Sequence, residues 1–280
     1  MIFDKKIKIK KVFGTFNLSS GPTKIFDENI LKFLSNLSKI ILSSKEAKKF
    51  PDLITLGFWC RESNIKALKK EYQSDVLRMG RGVILHITPS NIPMTFAYSL
   101  FFGLLSGNQN IVRIPSKNFY QIKLLVNFFE KLLKKKKFIS LKKKFVLISY
   151  KNSDEISAYL SKFVDGRIIW GGDKTVKKFK SFETLPRCID LYFADRFSGC
   201  IIDLNSLKRL KENEIEKICN DFYTDCYLMD QMGCSSPIVI FWIGSSNHKI
   251  NKKFWDIFSK IVDRRYDFDL IAANKKLLNL

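Results

Sequence analysis

Histidine is nearly missing from this chain, with two residues, His86 and His248, in 280. Six cysteines fall at 60, 188, 200, 219, 226 and 234, and no two form a CxxC pair. Zinc sites draw on closely spaced cysteine and histidine ligands, so this pattern argues against a metal centre. Proline is scarce (7 residues), which argues against long disorder. Long apolar runs are lacking too. The longest, IPMTFAYSLFFGLLSG from Ile92 to Gly107, carries Pro93, Thr95, Ser99 and two glycines. It falls short of the roughly 20 residues of a membrane span and reads as a buried helix. The opening MIFDKKIKIKKVFG is charged, without the apolar stretch of a signal peptide. The expectation is a cytoplasmic protein with no membrane span. Its thiols should be reduced, and most should be small core residues.

Acidic residues are also in deficit: 27 Asp and Glu face 49 Lys and Arg, a net charge of +22. Lysine tracts at 134–137 and 142–144 flank apolar residues and read as a solvated helix face and loop. No zinc-finger, helix-turn-helix or RNP-like pattern accompanies the charge, which argues against nucleic acid as partner. Attraction of polyanionic small molecules, nucleotides and coenzyme A, stays open.

What is present is apolar residues (46%) and aromatics (14%), enough for one large core or two smaller ones. From residue 82 onward short β-rich runs alternate with helical patterns. GVILHI (82–87), NIVRI (110–114), FVLISY (145–150) and RIIWGG (167–172) read as strands. Between and after them lie helices over 92–105, 120–133, 153–163, with Ser153 as N-cap, and 173–182. CIID (200–203) and PIVIFW (237–242) extend the strands, and 212–228 and 252–264 the helices. Such alternation predicts a parallel sheet covered by helices, a Rossmann-like α/β domain. The first 75 residues read as helical, notably 27–42. Composition shifts over 185–199, and no internal repeat is evident.

Two strand-end loops and one cysteine carry chemistry. HITPSNIPMTF places Asn91 between a strand and a helix. IIWGGDKTVKKF places Gly171 and Gly172 where a helix begins, either as a turn or to let backbone approach a ligand. Neither loop is a GxGxxG. Cys234, in MDQMGCSSP before PIVIFW, is either an inert thiol at a bend or a nucleophile.

Taken together, four segments resemble the acyl-CoA reductase family typified by the bacterial luminescence fatty-acid reductase subunit, within the aldehyde dehydrogenase superfamily. They are 82–118, 168–179, 186–203 and 222–242, in the family's order, within a resemblance spanning about residues 75 to 265. The resemblance implies an aldehyde dehydrogenase-like fold: a mainly helical segment over 1–75, an NADP-binding Rossmann-like domain over 76–190 and an α/β catalytic domain over 191–280. Relatives run well beyond the catalytic cysteine, whereas residues 235–280 alone follow Cys234 here. The catalytic domain is therefore expected to be incomplete, with apolar surface exposed around PIVIFW.

The same resemblance implies NADPH-dependent reduction of a fatty acyl thioester to the aldehyde. Cys234 would be the nucleophile and Asn91 a donor to the oxyanion, as acyl transfer from a thioester requires. Many NAD-using relatives carry a Lys-Pro-x-Glu pattern whose glutamate holds the ribose hydroxyls. Here Ile114 stands at the lysine and Lys117 at the glutamate, a cation suited to the 2′-phosphate of NADPH. Arg113, Ser116, Lys117, Gly171, Gly172 and Asp173 are the candidate cofactor residues; Arg113 also reads as a solvated strand-end charge. Oxidising relatives place a glutamate base in a Glu-Leu-Gly-Gly-like segment, which has no counterpart in DRFSGCIID. The implied partners are fatty acyl-CoA, or an acyl carrier or acyl-protein synthetase, with oligomers in complete relatives. Alternatives are an aldehyde-oxidising dehydrogenase, and a non-catalytic member of the fold acting by association.

Overall fold

Six five-residue strands make the main sheet: β1 (Lys10–Gly14), β2 (Val83–Ile87), β3 (Gln109–Arg113), β4 (Phe145–Ser149), β5 (Gly166–Trp170) and β6 (Ile189–Phe193). The order is β1-β4-β3-β2-β5-β6; β2 to β6 run parallel, and β1 joins β4 antiparallel at one edge. The chain thus goes from β2 outward to β4, then returns to the other side of β2 for β5 and β6. That reversal is the doubly wound arrangement, and it puts a topological switch point between β2 and β5. The computed structural model describes residues 9–266 except 73, 90–91, 195, 228–230, 232, 234 and 245–247. It divides into two compact units, Met1–Asp195 and Arg196–Leu280.

In the first unit, helices cover both sheet faces. One layer holds α1 (Glu28–Ser43), α2 (Pro51–Trp59), α3 (Glu62–Glu71), α4 (Thr95–Leu105) and α5 (Tyr120–Leu133). Asp27 caps α1 by accepting from the Asn29 N–H at 2.9 Å. Its Ile30, Phe33, Leu34, Leu37 and Ile41 fall on one stripe and are buried. Each such side chain contributes about 1.5–3 kcal/mol on burial. The opposite face carries α6 (Asp154–Ser161) and α7 (Asp173–Lys180), whose Leu160, Val176 and Phe179 pack on Leu85, Ile87, Ile111 and Ile169. Strand alternation sends Leu85 and Ile87 to this layer and turns His86 towards α4.

Several boundaries differ from the sequence reading for local reasons. α4 begins at Thr95 rather than Ile92, after a turn containing Pro93, because the residue before proline is steered out of helical backbone. The N-terminal residues are not all helical: Lys10–Gly14 form the edge strand β1. Ser153 caps α6 as expected, accepting from the Ile156 N–H at 3.3 Å. β6 lies within the stretch of shifted composition.

The second unit is a parallel pair, β7 (Ser198–Asp203) and β8 (Pro237–Ile243), with α8 (Leu204–Lys208), α9 (Glu212–Tyr227) and α10 (His248–Arg265). Phe222, Phe254, Phe258 and Ile261 of the helices pack with Cys219 and Cys226 against the inner face of the pair. The outer face leaves Ile201, Val239, Phe241 and Ile243 exposed. Among the described residues no helix is long and apolar enough to cross a membrane.

Candidate functional site

Parallel strands all end on the same side, so the residues that follow β2, β3, β4 and β5 gather at one edge of the sheet. A cavity of about 750 Å³ opens there, within the range of small-molecule sites. Thr88 and Pro89 follow β2, Arg113 ends β3 and Ile114 to Lys117 follow it, Asn152 and Asp154 follow β4, and Trp170 ends β5 with Gly171 next. Lys174 and Lys178, one turn apart on α7, line it as well, with Phe179 beside them.

The cavity is electropositive. Among its described lining residues, Arg113, Lys117, Lys174 and Lys178 meet one carboxylate, Asp154. Lys178 takes that carboxylate at 3.0 Å in a solvent-exposed pair. Arg113, Lys117 and Lys174 have no ion pair among the described residues. Arg113 lies over the Tyr150 ring, 4.7 Å from its centroid, and its Nε is buried without a hydrogen-bond partner among the described residues. A buried guanidinium N–H in a cationic cavity can donate to an anionic oxygen. Burial pushes the Tyr150 hydroxyl up, against the opposing effects of its Ser157 hydrogen bond and the Arg113 charge. Tyr150 is therefore neutral beside the guanidinium and offers no counter-charge.

The residues singled out from sequence distribute as follows. Arg113, Ser116, Lys117 and Gly171 line the cavity; Gly172 and Asp173 are not among its lining residues. Ser116 Oγ donates to the Tyr150 carbonyl at 3.3 Å, tying the end of β3 to that of β4. A Cβ at Gly171 would meet Thr175 at 3.1 Å, so the absent side chain leaves room for α7 to pack close. Gly172 is the N-cap position of α7 and Asp173 its first residue, where a carboxylate complements the helix dipole. Asn91 and Cys234 lie outside the described residues. By sequence they belong to the β2–α4 and α9–β8 connections, and Pro89 brings the first of these to the cavity wall.

Sequence reasoning missed Lys174, Lys178, Asn152, Asp154 and Trp170. The i, i+4 spacing of the two lysines after IIWGG was a usable signal. Nothing local distinguished Asn152 or Asp154, which reach the cavity through sheet topology. Elsewhere, Cys219 and Cys226 are buried on one face of α9, and their thiols are pushed up to about 11, chiefly by burial. Both are protonated and unreactive at neutral pH.

The acyl-CoA reductase (LuxC) family model matches residues 61–260. No curated protein matches. Solved structures share the fold. Proline utilization A from Corynebacterium freiburgense has a TM-score of 0.58 at 14% identity, over 86% of this chain and 25% of that one. An aldehyde dehydrogenase from Bartonella henselae gives 0.55 at 17% identity, over 83% and 50%. A mutant 1-pyrroline-5-carboxylate dehydrogenase from Thermus thermophilus gives 0.56 at 12%, over 85% and 49%. The chain thus spans a quarter to a half of the length of these structures.

Proposed function

The chain belongs to the LuxC acyl-CoA reductase family, and from that premise we propose that it reduces a fatty acyl thioester to the aldehyde with NADPH, through a covalent acyl intermediate on Cys234. The acyl donor is acyl-CoA or an acyl group handed over by a partner protein. The single observation that carries the cofactor half is the cavity at the switch point, with three cations that have no ion pair and a buried Arg113 Nε that has no hydrogen-bond partner among the described residues. Aldehyde dehydrogenase-like folds typically bind a nicotinamide cofactor, and this cavity suits the phosphates of one. Arg113 and Lys174 would hold the pyrophosphate. Lys117, at the outer end of the β3 loop, would favour the extra phosphate of NADPH.

In the proposed reaction the Cys234 thiol gives its proton to solvent, and the resulting thiolate adds to the thioester carbonyl. Asn91 and the Cys234 backbone N–H donate to the oxygen as it becomes negative. The carbon–sulfur bond to coenzyme A breaks, and coenzyme A leaves as its thiolate. The cofactor, when bound, supplies the hydride for the second half. The bond to Cys234 then breaks, returning the thiolate and releasing the aldehyde. Reduction rather than hydrolysis is supported in the segment where oxidising relatives carry a glutamate base. Asp203 at the end of β7 is committed to capping α8, accepting from the Asn205 N–H at 3.0 Å and from Ser206 Oγ at 2.6 Å.

Two measurements test the reading. NADPH should bind more tightly than NADH, and Lys117→Glu should weaken NADPH by about tenfold, the loss of one charge-assisted contact of about 1.5 kcal/mol; equal affinities in the wild type refute the cofactor assignment. Incubation with acyl-CoA should leave an acyl mass on Cys234 and none on Cys219 or Cys226. Cys234→Ala should abolish the label while keeping NADPH affinity, and Asn91→Ala should slow labelling by about 10²–10³-fold. Label on another cysteine, or none, refutes the nucleophile assignment.

A further inference from the structure

Trp170 ends β5 on the cavity wall, yet its indole is fixed from behind. Its ring stacks on Phe193 of β6, with centroids 3.8 Å apart and planes 7° from parallel. Its Nε1–H donates to Ser99 Oγ of α4 at 3.2 Å. Ser99 Oγ lies 2.8 Å from His86 Nδ1, and His86 Nε2 lies 2.9 Å from Asn110 Oδ1. The direction of this chain follows from its far end. Asn110 Nδ2 donates to the carbonyls of Asn108 and Lys144, so Oδ1 is left as acceptor and His86 Nε2 must carry the proton. His86 Nδ1 then accepts from the Ser99 hydroxyl, which leaves the Ser99 lone pairs facing the indole N–H. Every polar group in the chain is satisfied in one orientation.

The packing around the chain is equally tight. His86 and Asn110 are fully buried. α4 approaches the sheet over them through Gly103, where a Cβ would come within 2.0 Å of Asn110 Oδ1 and 3.0 Å of His86 Cε1. A fully satisfied buried network of this kind holds one geometry. Such an expenditure of buried polar groups is not needed to pack a strand end. What it fixes is the azimuth of the Trp170 ring, the aromatic that β5 itself sends to a wall it shares with Phe179 of α7. Across the cavity, Asn152 follows β4 three strands away, about 14 Å at ordinary strand spacing. The cations Arg113, which ends β3, and Lys117, which follows it, lie between these two ends. A dinucleotide with its phosphates on the central cations places one of its two planar rings at the β5 end.

We propose that Trp170 is the cofactor-contacting wall at the switch point, and that Ser99, through His86 and Asn110, is the positioning residue that orients it for a planar ring of the dinucleotide. The proposal rests on the cavity being the nucleotide site, and the test separates the two. NADPH and NADH are titrated against the full chain by calorimetry, with tryptophan emission followed in parallel; reduced nicotinamide accepts energy from a nearby indole. Trp59, Trp242 and Trp255 give the background.

In the wild type, NADPH quenches emission, and Trp170→Phe removes most of the cofactor-dependent quench. Trp170→Phe keeps a ring against Phe193 but has no N–H to donate. It weakens NADPH about fivefold, the scale of one buried hydrogen bond of about 1 kcal/mol. Ser99→Ala weakens NADPH by a similar factor with a wild-type far-ultraviolet spectrum. The double variant is no weaker than either single one, because both break the same link. Ser99→Thr, which retains the hydroxyl, recovers most of the affinity. A wild type that binds NADPH while Trp170→Phe keeps its affinity and quench overturns the role of Trp170 alone. Additive losses in the double variant overturn the positioning role of Ser99. A wild type that binds neither nucleotide overturns the nucleotide site, and this proposal with it.

Discussion

His86 shows how one residue can be invisible in sequence and decisive in structure. As a lone histidine in a β-rich run, it gave no sign of partners; its neighbours Ser99 and Asn110 stand on a helix and a strand that meet it only through the fold. Burial lowers its pKa from 6.5 to about 4, against the opposing effect of its hydrogen bond to Asn110. The folded protein therefore keeps it neutral where the unfolded chain takes up a proton. Between these two values the unfolded state binds more protons, so stability rises with pH. The contribution is complete above about pH 6.5 and is lost as pH falls through 4. At about 1.4 kcal/mol per unit it amounts to about 3 kcal/mol. Urea midpoints at pH 7 and pH 4.5 should separate widely in the wild type. His86→Gln should narrow that separation, because carboxylates elsewhere titrate alike in both proteins; an unchanged separation shows that His86 does not titrate as its burial requires. At the same scale, Arg113 and Lys117 were singled out through the resemblance, by VRIPSKN standing where relatives carry Lys-Pro-x-Glu, and both line the cavity. Lys174 and Trp170 were not, because their meaning depends on which strands are neighbours.

Elements were most legible where a cap and a stripe agreed. Ser153 announced α6, the stretch 27–42 read as helical and Asp27 proves to be its cap, and the apolar spacing of α5 set it over Tyr120–Leu133. β6 shows the opposite case. Its sequence IDLYF suggests that isoleucine and leucine point inward, yet Ile189 and Leu191 are about half exposed. Asp190 and Tyr192 lie partly buried instead, and Asp190 takes Arg167 of β5 through two bonds, Nε at 2.7 Å and Nη2 at 2.6 Å. Arg167 is almost fully buried in this pair and also donates to Ser161 Oγ at 3.1 Å. Burial opposes ionisation of Asp190, but the hydrogen bonds from Arg167 and Tyr192 outweigh it and hold the carboxyl below its usual range. The inverted pattern hid the strand, and the ion pair explains the inversion. Removing one partner strands a buried charge, so Asp190→Ala should lower the unfolding free energy by about 3–5 kcal/mol. The double change Arg167→Met, Asp190→Leu should cost far less, because no charge is left behind. Chemical denaturation of the two variants decides: equal losses show that packing, rather than the stranded guanidinium, sets the cost.

At the scale of the whole molecule, two properties act against each other. The net charge of +22 disfavours self-association. The outer face of the β7–β8 pair favours it, since Ile201, Val239, Phe241 and Ile243 stand on it at 44% to 69% exposure. Parallel strands are ordinarily covered on both faces, and a two-stranded parallel ribbon with one bare apolar face is an unusual surface. PIVIFW made this readable in advance: a run with isoleucine, valine, phenylalanine and tryptophan on both sides of the pleat fits a strand covered twice, while α9 and α10 cover it once. The expected behaviour follows from screening. At low ionic strength charge repulsion dominates and the protein stays dispersed; near 1 M salt the Debye length falls to about 3 Å and association through the bare face takes over. Light scattering against salt should therefore rise steeply. Phe241→Lys with Ile243→Lys should flatten that rise and reduce binding of an apolar dye. The same pair should shift the unfolding free energy little, within about 0.5 kcal/mol per site, because exposed side chains carry little packing. A salt response unchanged by these two lysines would place the sticky surface elsewhere, with the half-exposed Ile189 and Leu191 of β6 the next to substitute.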